Sequence, residues 1–188
     1  MKFTLGLLLF FFLVFSFPFS AHSQTATGEG EIRQMEVQKK QLEYQLAYPG
    51  LLPDSPLYFL KTIRDRVVNF LITDPLKRIE FRLLQADKRL SAGRTIFRNG
   101  KGQLAESTLA KGENYFEEAI REVKAAKNQG LDTKYMVEKM IASAKKHEEI
   151  ISDLESKSTG QLAQQFSVLH KRVDGFKEEV SALMPKNK

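Results

Sequence analysis

The feature that most constrains the fold is a seven-residue pattern of apolar and small residues between Thr73 and Gly130. These residues recur at alternating steps of three and four, before and after a break at Asn99-Gly100-Lys101-Gly102. Such spacing is typical of a helix packed along its whole length, and glycine readily adopts the left-handed conformation that ends a helix. We therefore expect two long antiparallel helices in a coiled-coil-like hairpin. The seam positions are Leu76, Ile79, Leu83, Ala86, Leu90, Gly93 and Phe97, then Ala105, Leu109, Gly112, Phe116, Ala119, Val123 and Ala126.

Two glycines occupy seam positions inside these predicted helices. Gly93 and Gly112 each cost about 1 kcal/mol relative to alanine in a helix interior. We expect close approach of the two backbones to recover that cost. The alternative is that either glycine marks a local kink.

Further helices are predicted on both sides of the hairpin. Residues 133–157 and 160–184 show the same periodicity, and a turn at Lys157-Ser158-Thr159-Gly160 separates them. Residues 57–72 form a shorter helix whose broad apolar face we expect to be buried. The sequence thus predicts an all-α protein: an antiparallel up-down four-helix bundle preceded by a shorter packed helix and a Pro-rich connector, in a single domain over residues 48–184.

The N-terminal segment has the three parts of a secretory signal peptide. Lys2 supplies positive charge, residues 5–17 are almost entirely apolar, and Ala21-His22-Ser23 offers the small residues that a signal peptidase reads. We predict a signal peptide over residues 1–23 and export to the periplasm, cell surface or extracellular space. The apolar core is shorter than the roughly 20 residues that span a bilayer, so cleavage is favoured over retention as an anchor. Residues 24–47 form a linker or poorly defined segment.

The connector and the helices after it carry a recognisable set of motifs. This set resembles an uncharacterised family of helical domains, classed as a domain of unknown function, that occur in exported or membrane-tethered bacterial proteins. The resemblance covers Tyr44 to Ile120. It implies a helical protein of the cell envelope and brings no catalytic residues or cofactor. The motifs are Tyr48-Pro49-Gly50-Leu51-Leu52-Pro53-Asp54-Ser55-Pro56-Leu57-Tyr58, Lys61, Ile63-Arg64-Asp65-Arg66, Asp74-Pro75, Ala86-Asp87-Lys88-Arg89-Leu90 and Lys111-Gly112-Glu113-Asn114-Tyr115.

The sequence shows no recognised catalytic pattern. It has no cysteine, no glycine-rich phosphate loop and no zinc-ligand spacing. A di-iron bundle needs glutamate three residues before histidine on two helices, and neither His147 nor His170 has one. We therefore predict a non-enzymatic protein with no catalytic, cofactor-binding or metal-binding residues. Nucleic acid is not an expected partner, because the basic residues are not interleaved with aromatic ones.

A basic stripe on the first long helix is the first candidate interaction surface. It consists of Arg78, Arg82 and Arg89, with Lys88 beside them. Such a stripe attracts anionic lipid headgroups, wall polymers or an acidic partner. The alternative is a solvated face paired with acidic residues of the next helix. Those acidic residues are Glu106, Glu113, Glu117 and Glu118.

The connector over residues 48–58 is the second candidate surface. Its tyrosines, leucines and prolines would dock a partner if they are exposed. The alternative, which we favour, is that they close one end of the bundle. The residues concerned are Leu51, Leu52, Tyr58 and Phe59.

His147 is the one titratable residue on an apolar seam, between Ala144 and Ile151. It is either a pH-responsive or ligand-contacting imidazole, or a buried histidine bonded to a neighbouring helix. We expect an exported interaction or scaffold protein that binds an unknown protein or an anionic envelope component, including peripheral membrane contact. The alternative function is a small-ligand or metal-binding sensor that uses the bundle interior near His147.

Overall fold

The structure is a computed structural model that describes residues 44–184. Within this range the chain forms five helices and no strand, which confirms the all-α prediction. The predicted signal peptide, and the predicted linker up to residue 43, lie outside the described residues. The helices are α1 (Tyr58–Leu71), α2 (Pro75–Arg98), α3 (Gly102–Asn128), α4 (Lys134–Ser156) and α5 (Gly160–Ala182).

The α2–α3 hairpin follows from local sequence. Asp74 caps α2 by accepting a 2.9 Å hydrogen bond from the backbone N–H of Lys77, and Pro75 fills the first helical position. After α2 ends, Gly100 has a φ of 76°, the left-handed conformation that the turn requires. The chain therefore reverses within a few residues, and α3 returns antiparallel along α2.

Close packing of α2 on α3 explains the two seam glycines. A Cβ atom at Gly93 would lie 2.5 Å from Cγ of Leu109, and one at Gly112 would lie 3.3 Å from the carbonyl oxygen of Ala86. Both distances are too short for comfortable contact, and both glycines lie inside continuous helix. The close approach expected from the sequence is therefore present.

The second hairpin, α4–α5, lies beside the first, with α2 next to α4 and α3 next to α5. Polar contacts reveal the chain directions: Glu80 pairs with Lys139 at 3.3 Å, and Asp87 contacts His147 at 3.1 Å. The residue numbers rise together, so α2 and α4 run in the same direction. Chain direction therefore alternates from α2 to α5, as an up-down bundle requires.

Two apolar clusters fill the bundle. In one, the rings of Phe116 and Phe176 stack with centroids 5.6 Å apart. In the other, Phe97 packs edge-on against Phe166 at 5.8 Å. The α4 seam passes from the first cluster to the second, and His147 lies between them. A buried polar residue is thus placed at the centre of the core.

Helix α1 does not bury its apolar face. None of its residues is buried, and Phe70 is 85% exposed. The expectation that this face packs on the long helices is therefore wrong. The reason is that the opposite, polar side of α1 is attached to the rest of the chain, where the Tyr58 hydroxyl accepts a 2.8 Å hydrogen bond from Arg89. No helix between residues 44 and 184 is both long and apolar enough to cross a membrane.

Candidate functional site

His147 lies at the centre of a buried charged network formed by three helices. Its side chain is fully buried on α4. Its Nδ1 lies 2.9 Å from Oε1 of Glu113 on α3, and its Nε2 lies 3.1 Å from Oδ1 of Asp87 on α2. Both carboxylates are almost completely withdrawn from solvent. One imidazole therefore links two acidic residues from different helices inside the core.

The network continues from Asp87 towards the connector. Ser143 donates a 2.7 Å hydrogen bond to Oδ1 of Asp87, and the Tyr44 hydroxyl donates a 2.5 Å bond to Oδ2. Burial, and then the negative charge of Asp87, raise the pKa of Tyr44. Tyr44 thus stays a protonated donor at neutral pH. By contrast, Oε2 of Glu113 is buried and makes no hydrogen bond to any described residue.

The network keeps His147 positively charged at neutral pH. Burial alone would lower the pKa of His147, because it disfavours the charged form. The charge of Glu113, the hydrogen bonds to Asp87 and Glu113, and the charge of Asp87 outweigh this and raise the pKa to about 9. Both ring nitrogens then donate, each to a carboxylate.

This arrangement is suited to holding the helices in register rather than to binding a metal ion at His147. A metal would need one ring nitrogen, and both already face carboxylates on opposite sides of the ring. Within residues 44–184, the one triad with metal-ligand spacing lies elsewhere, at Glu148, His170 and Asp174. The Lys177 ammonium already pairs with Glu148, and it lies 3.6 Å from Asp174.

Two acidic members of the network were not identified from the sequence. Glu113 was considered a partner for the basic stripe on a solvated face. The structure corrects this, because Glu113 is fully buried and faces His147. For Asp87, the sequence predicts nothing beyond its place in the motif Ala86-Asp87-Lys88-Arg89-Leu90. A usable signal existed in the position of Asp87 and Glu113, each directly after a small seam residue, Ala86 and Gly112.

The basic stripe divides into two parts. Arg82 pairs with Glu118 at 2.9 Å and with Glu122 at 3.4 Å, while Arg78 reaches Glu122 at 4.0 Å and donates to the carbonyl of Ile72 at 3.2 Å. These two arginines match the alternative reading of a face paired with the next helix, although Glu122 was not among the acidic partners considered. Their charge is largely neutralised locally.

The other two basic residues, Lys88 and Arg89, turn towards α1 and the connector. Arg89 donates to Tyr58, and its guanidinium lies 5.0 Å from the centre of the Tyr115 ring. Among the described residues, no carboxylate lies within ion-pair distance of Lys88 or Arg89. The four residues of the stripe therefore do not form one surface.

The polar side of α1 faces the protein and its apolar side faces outward. At about 100° per residue, six of the apolar side chains occupy one continuous third of the helix circumference, and the exposed Val68 lies outside it. Arg64 and Arg66 border this third on its two sides. On the opposite side, Lys61 donates to the carbonyls of Pro49 at 2.7 Å and Leu51 at 3.3 Å. The outward apolar residues, here called the α1 apolar face, are Phe59, Leu60, Ile63, Val67, Phe70 and Leu71.

The connector does not close the end of the bundle as favoured from the sequence. Leu51 is 43% exposed and Phe59 is 55% exposed. Asp54 is tied to Lys101 at 2.7 Å, which holds the connector against the α2–α3 turn. Between the connector and α1 lies a groove of about 370 Å³, here called the basic groove. Its lining is Tyr48, Pro49, Gly50, Leu51, Leu60, Lys61, Arg64 and Lys88.

Comparisons with known proteins give one match. A search of curated proteins and a search of solved structures each found no match. The model of one protein family matches residues 50–161, which include the connector from Gly50 onward, the α1 apolar face and all three charged members of the buried network. This match covers more than half of the chain and agrees with the resemblance seen in the sequence. The chain therefore belongs to the family described as domain of unknown function DUF5667.

Proposed function

We propose that this chain is an exported, non-enzymatic protein that binds a lipid membrane surface of the bacterial envelope through the α1 apolar face. The observation that carries the proposal is the orientation of α1. A helix attached by its polar side leaves its apolar side uncovered by the rest of residues 44–184. Large contiguous apolar patches on soluble proteins mark sites of interaction.

The composition of α1 favours lipid as the occupant. Helices that lie in the membrane interface combine an apolar face of Phe and Leu with basic residues at its borders. Here the borders are Arg64 and Arg66, whose long side chains can reach the headgroups while the apolar residues enter the lipid. The formal net charge of +6 adds attraction to anionic membranes.

The size of the apolar face is sufficient for reversible binding. Complete burial of one large apolar side chain contributes roughly 1.5–3 kcal/mol, and most of the six side chains are only about half exposed. Their combined contribution is therefore roughly 5–11 kcal/mol before the cost of association. Each arginine near an anionic surface adds about 1 kcal/mol. This corresponds to peripheral contact that is strengthened by anionic lipid.

The alternative, a ligand or metal sensor at His147, receives less support from the geometry. Both ring nitrogens already have acidic partners, and the side chain is fully buried. A ligand would need to separate the helices that carry Asp87 and Glu113. The apolar face needs no such rearrangement.

A single introduced tryptophan tests the proposal, because the chain contains none. Phe70→Trp places an indole on the α1 apolar face, and Val168→Trp places one at an exposed site on α5, which packs on α3 and α4. Anionic vesicles should shift the emission of the Phe70→Trp protein to shorter wavelength, and brominated lipids should quench it. The Val168→Trp protein should show neither effect. Because the readout is local to each site, it holds whether or not residues 1–23 are cleaved.

Unchanged emission of the Phe70→Trp protein with vesicles would contradict the proposal. Equal shifts at both sites would also contradict it, because they would indicate contact without a preferred face. If the Phe70→Trp emission shifts only when a second protein is added, the apolar face is a protein-docking site instead.

A further inference from the structure

We propose that the basic groove is a binding site for the phosphate of an anionic phospholipid headgroup. This inference rests on the proposed membrane-binding function and assigns a second element to the same surface. In addition to a general attraction to anionic membranes, the basic groove would recognise the phosphate group specifically.

The first support is the excess of positive charge in the groove. Lys61, Arg64 and Lys88 come from two helices and line the same cavity, with Arg89 nearby. Within the described part of the chain, Asp65 is the one carboxylate that pairs with Lys61, Arg64 or Lys88, and it is bonded to Arg64 at 2.7 Å. Three cations surround the cavity, and Asp65 pairs with one of them. The remaining positive charge favours the binding of an anion.

The second support is the state of Lys61. Burial, together with the charges of Arg89, Lys88 and Arg64, lowers the pKa of its ammonium group, and Asp65 compensates for only part of this. Two carbonyls of the connector accept hydrogen bonds from the ammonium. A lysine ammonium has three donors, so one remains after these two bonds. A bound phosphate would accept it and would relieve the repulsion among the cations.

The third support is the position of the groove beside the α1 apolar face. Leu60 belongs to both, and Tyr48 and Leu51 give the groove an apolar rim. Tyr48 is 82% exposed. A phospholipid with its phosphate in the groove would lay its acyl chains along α1. A free anion would use only half of this surface, so the combination favours a lipid headgroup over soluble phosphate.

The test compares two charge reversals of equal size. Arg64→Glu/Lys88→Glu removes two cations from the groove. Lys145→Glu/Lys171→Glu changes the net charge equally, at exposed positions on α4 and α5. Binding is measured to vesicles of phosphatidylcholine alone and of phosphatidylcholine with phosphatidylglycerol. The groove variant should lose at least tenfold in affinity for the anionic vesicles and keep its affinity for the neutral ones, whereas the control should lose less than threefold.

Three further results decide the matter. Equal losses in the two reversed variants would overturn the groove proposal and leave the membrane proposal intact. No wild-type binding to either vesicle would overturn both. If glycerol 1-phosphate displaces the protein no more than sodium chloride of equal ionic strength, the site needs the whole lipid, as expected. If glycerol 1-phosphate displaces the protein from the vesicles at low concentration, the preference for a whole lipid is wrong and the ligand is a soluble phosphate.

A milder variant protects the test against misfolding. Arg64→Gln/Lys88→Gln removes the same charges without introducing repulsion, and circular dichroism confirms its helical content. It should show the same selective loss for anionic vesicles, reduced to several-fold. A folded variant with wild-type affinity for both vesicles would contradict the proposal.

Discussion

The ionisation of His147 predicts that the folded chain loses stability as the pH rises from about 6.5 to 9. The pKa of His147 is about 9 in the folded protein and 6.5 without its surroundings. A group whose pKa is raised by folding stabilises the folded state fully when the pH is below its pKa in the unfolded chain. This stabilisation is lost as the pH rises past its pKa in the folded chain. At 1.36 kcal/mol per pKa unit, the loss amounts to about 3 kcal/mol. Tyr44, whose pKa is also raised, adds a further loss only above pH 10.

The assay is urea unfolding followed by helical circular dichroism at pH 6, 7.5 and 9. The wild-type unfolding free energy should fall across this range. Glu113→Gln removes the carboxylate whose charge most strongly raises the pKa of His147, so the pH dependence should shrink by more than half. Glu149→Gln is the control, because this exposed carboxylate on the same helix pairs with Lys146 at 2.9 Å outside the core, so its loss should leave the pH dependence of His147 in place.

Removal of the imidazole has a separate, larger effect. His147→Leu leaves Asp87 and Glu113 buried without their cation, and breaking a buried ion pair costs about 3–5 kcal/mol. The variant should therefore be strongly destabilised at pH 6 and should approach the wild type at pH 9. Constant wild-type stability from pH 6 to 9, or the same decline in Glu113→Gln, would refute the reasoning.

Three further substitutions test the helix packing and the outer end of the network. Gly93→Ala should destabilise the chain by about 1–2 kcal/mol, because its Cβ would lie 2.5 Å from Leu109, whereas Gly175→Ala, which meets no atom within 4 Å, should stabilise it by about 0.5–1 kcal/mol. Urea midpoints at pH 7 measure both changes in stability. If the two substitutions change the stability in the same direction, the packing argument is contradicted. Tyr44→Phe should cost about 1.5–3 kcal/mol, because the Asp87 carboxylate loses a donor. An unchanged midpoint would mean that water replaces the hydroxyl.

The bundle helices could be predicted from the sequence because the apolar periodicity within each helix marks the side that is buried. The large seam residues from Ile79 to Val123 that the period selects are all buried in the structure except Phe97, which is partly buried. Start and stop signals at Asp74-Pro75 and Asn99-Gly100 then fixed the helix ends to within a residue or two. In such a segment, local preference and long-range packing agree, so one pattern reveals both.

The orientation of α1 could not be predicted for the opposite reason. The period shows that one side of α1 is apolar, but it does not say which side meets the protein. The choice depends on contacts with distant residues: Arg89 with Tyr58, 31 positions apart, and Lys101 with Asp54, 47 positions apart. The same limit applies to Glu113, whose partner His147 lies 34 positions away. Polar pairs at such separations leave no periodic trace.

The buried network and the proposed lipid surface meet at two adjacent residues of α2. Asp87 points into the core, where it holds Tyr44, while Lys88 points into the basic groove, whose opposite rim includes Tyr48. The connector is thus held by the core only four residues before it forms the groove. The Tyr44–Asp87 hydrogen bond thus adds a core anchor to the other ties of the connector, the bonds of Lys61 to Pro49 and Leu51 and the pair of Asp54 with Lys101. In our proposal, the charged core helps to fix the geometry of the proposed lipid surface, and the costly burial of Asp87 then serves that surface as well as the stability of the fold.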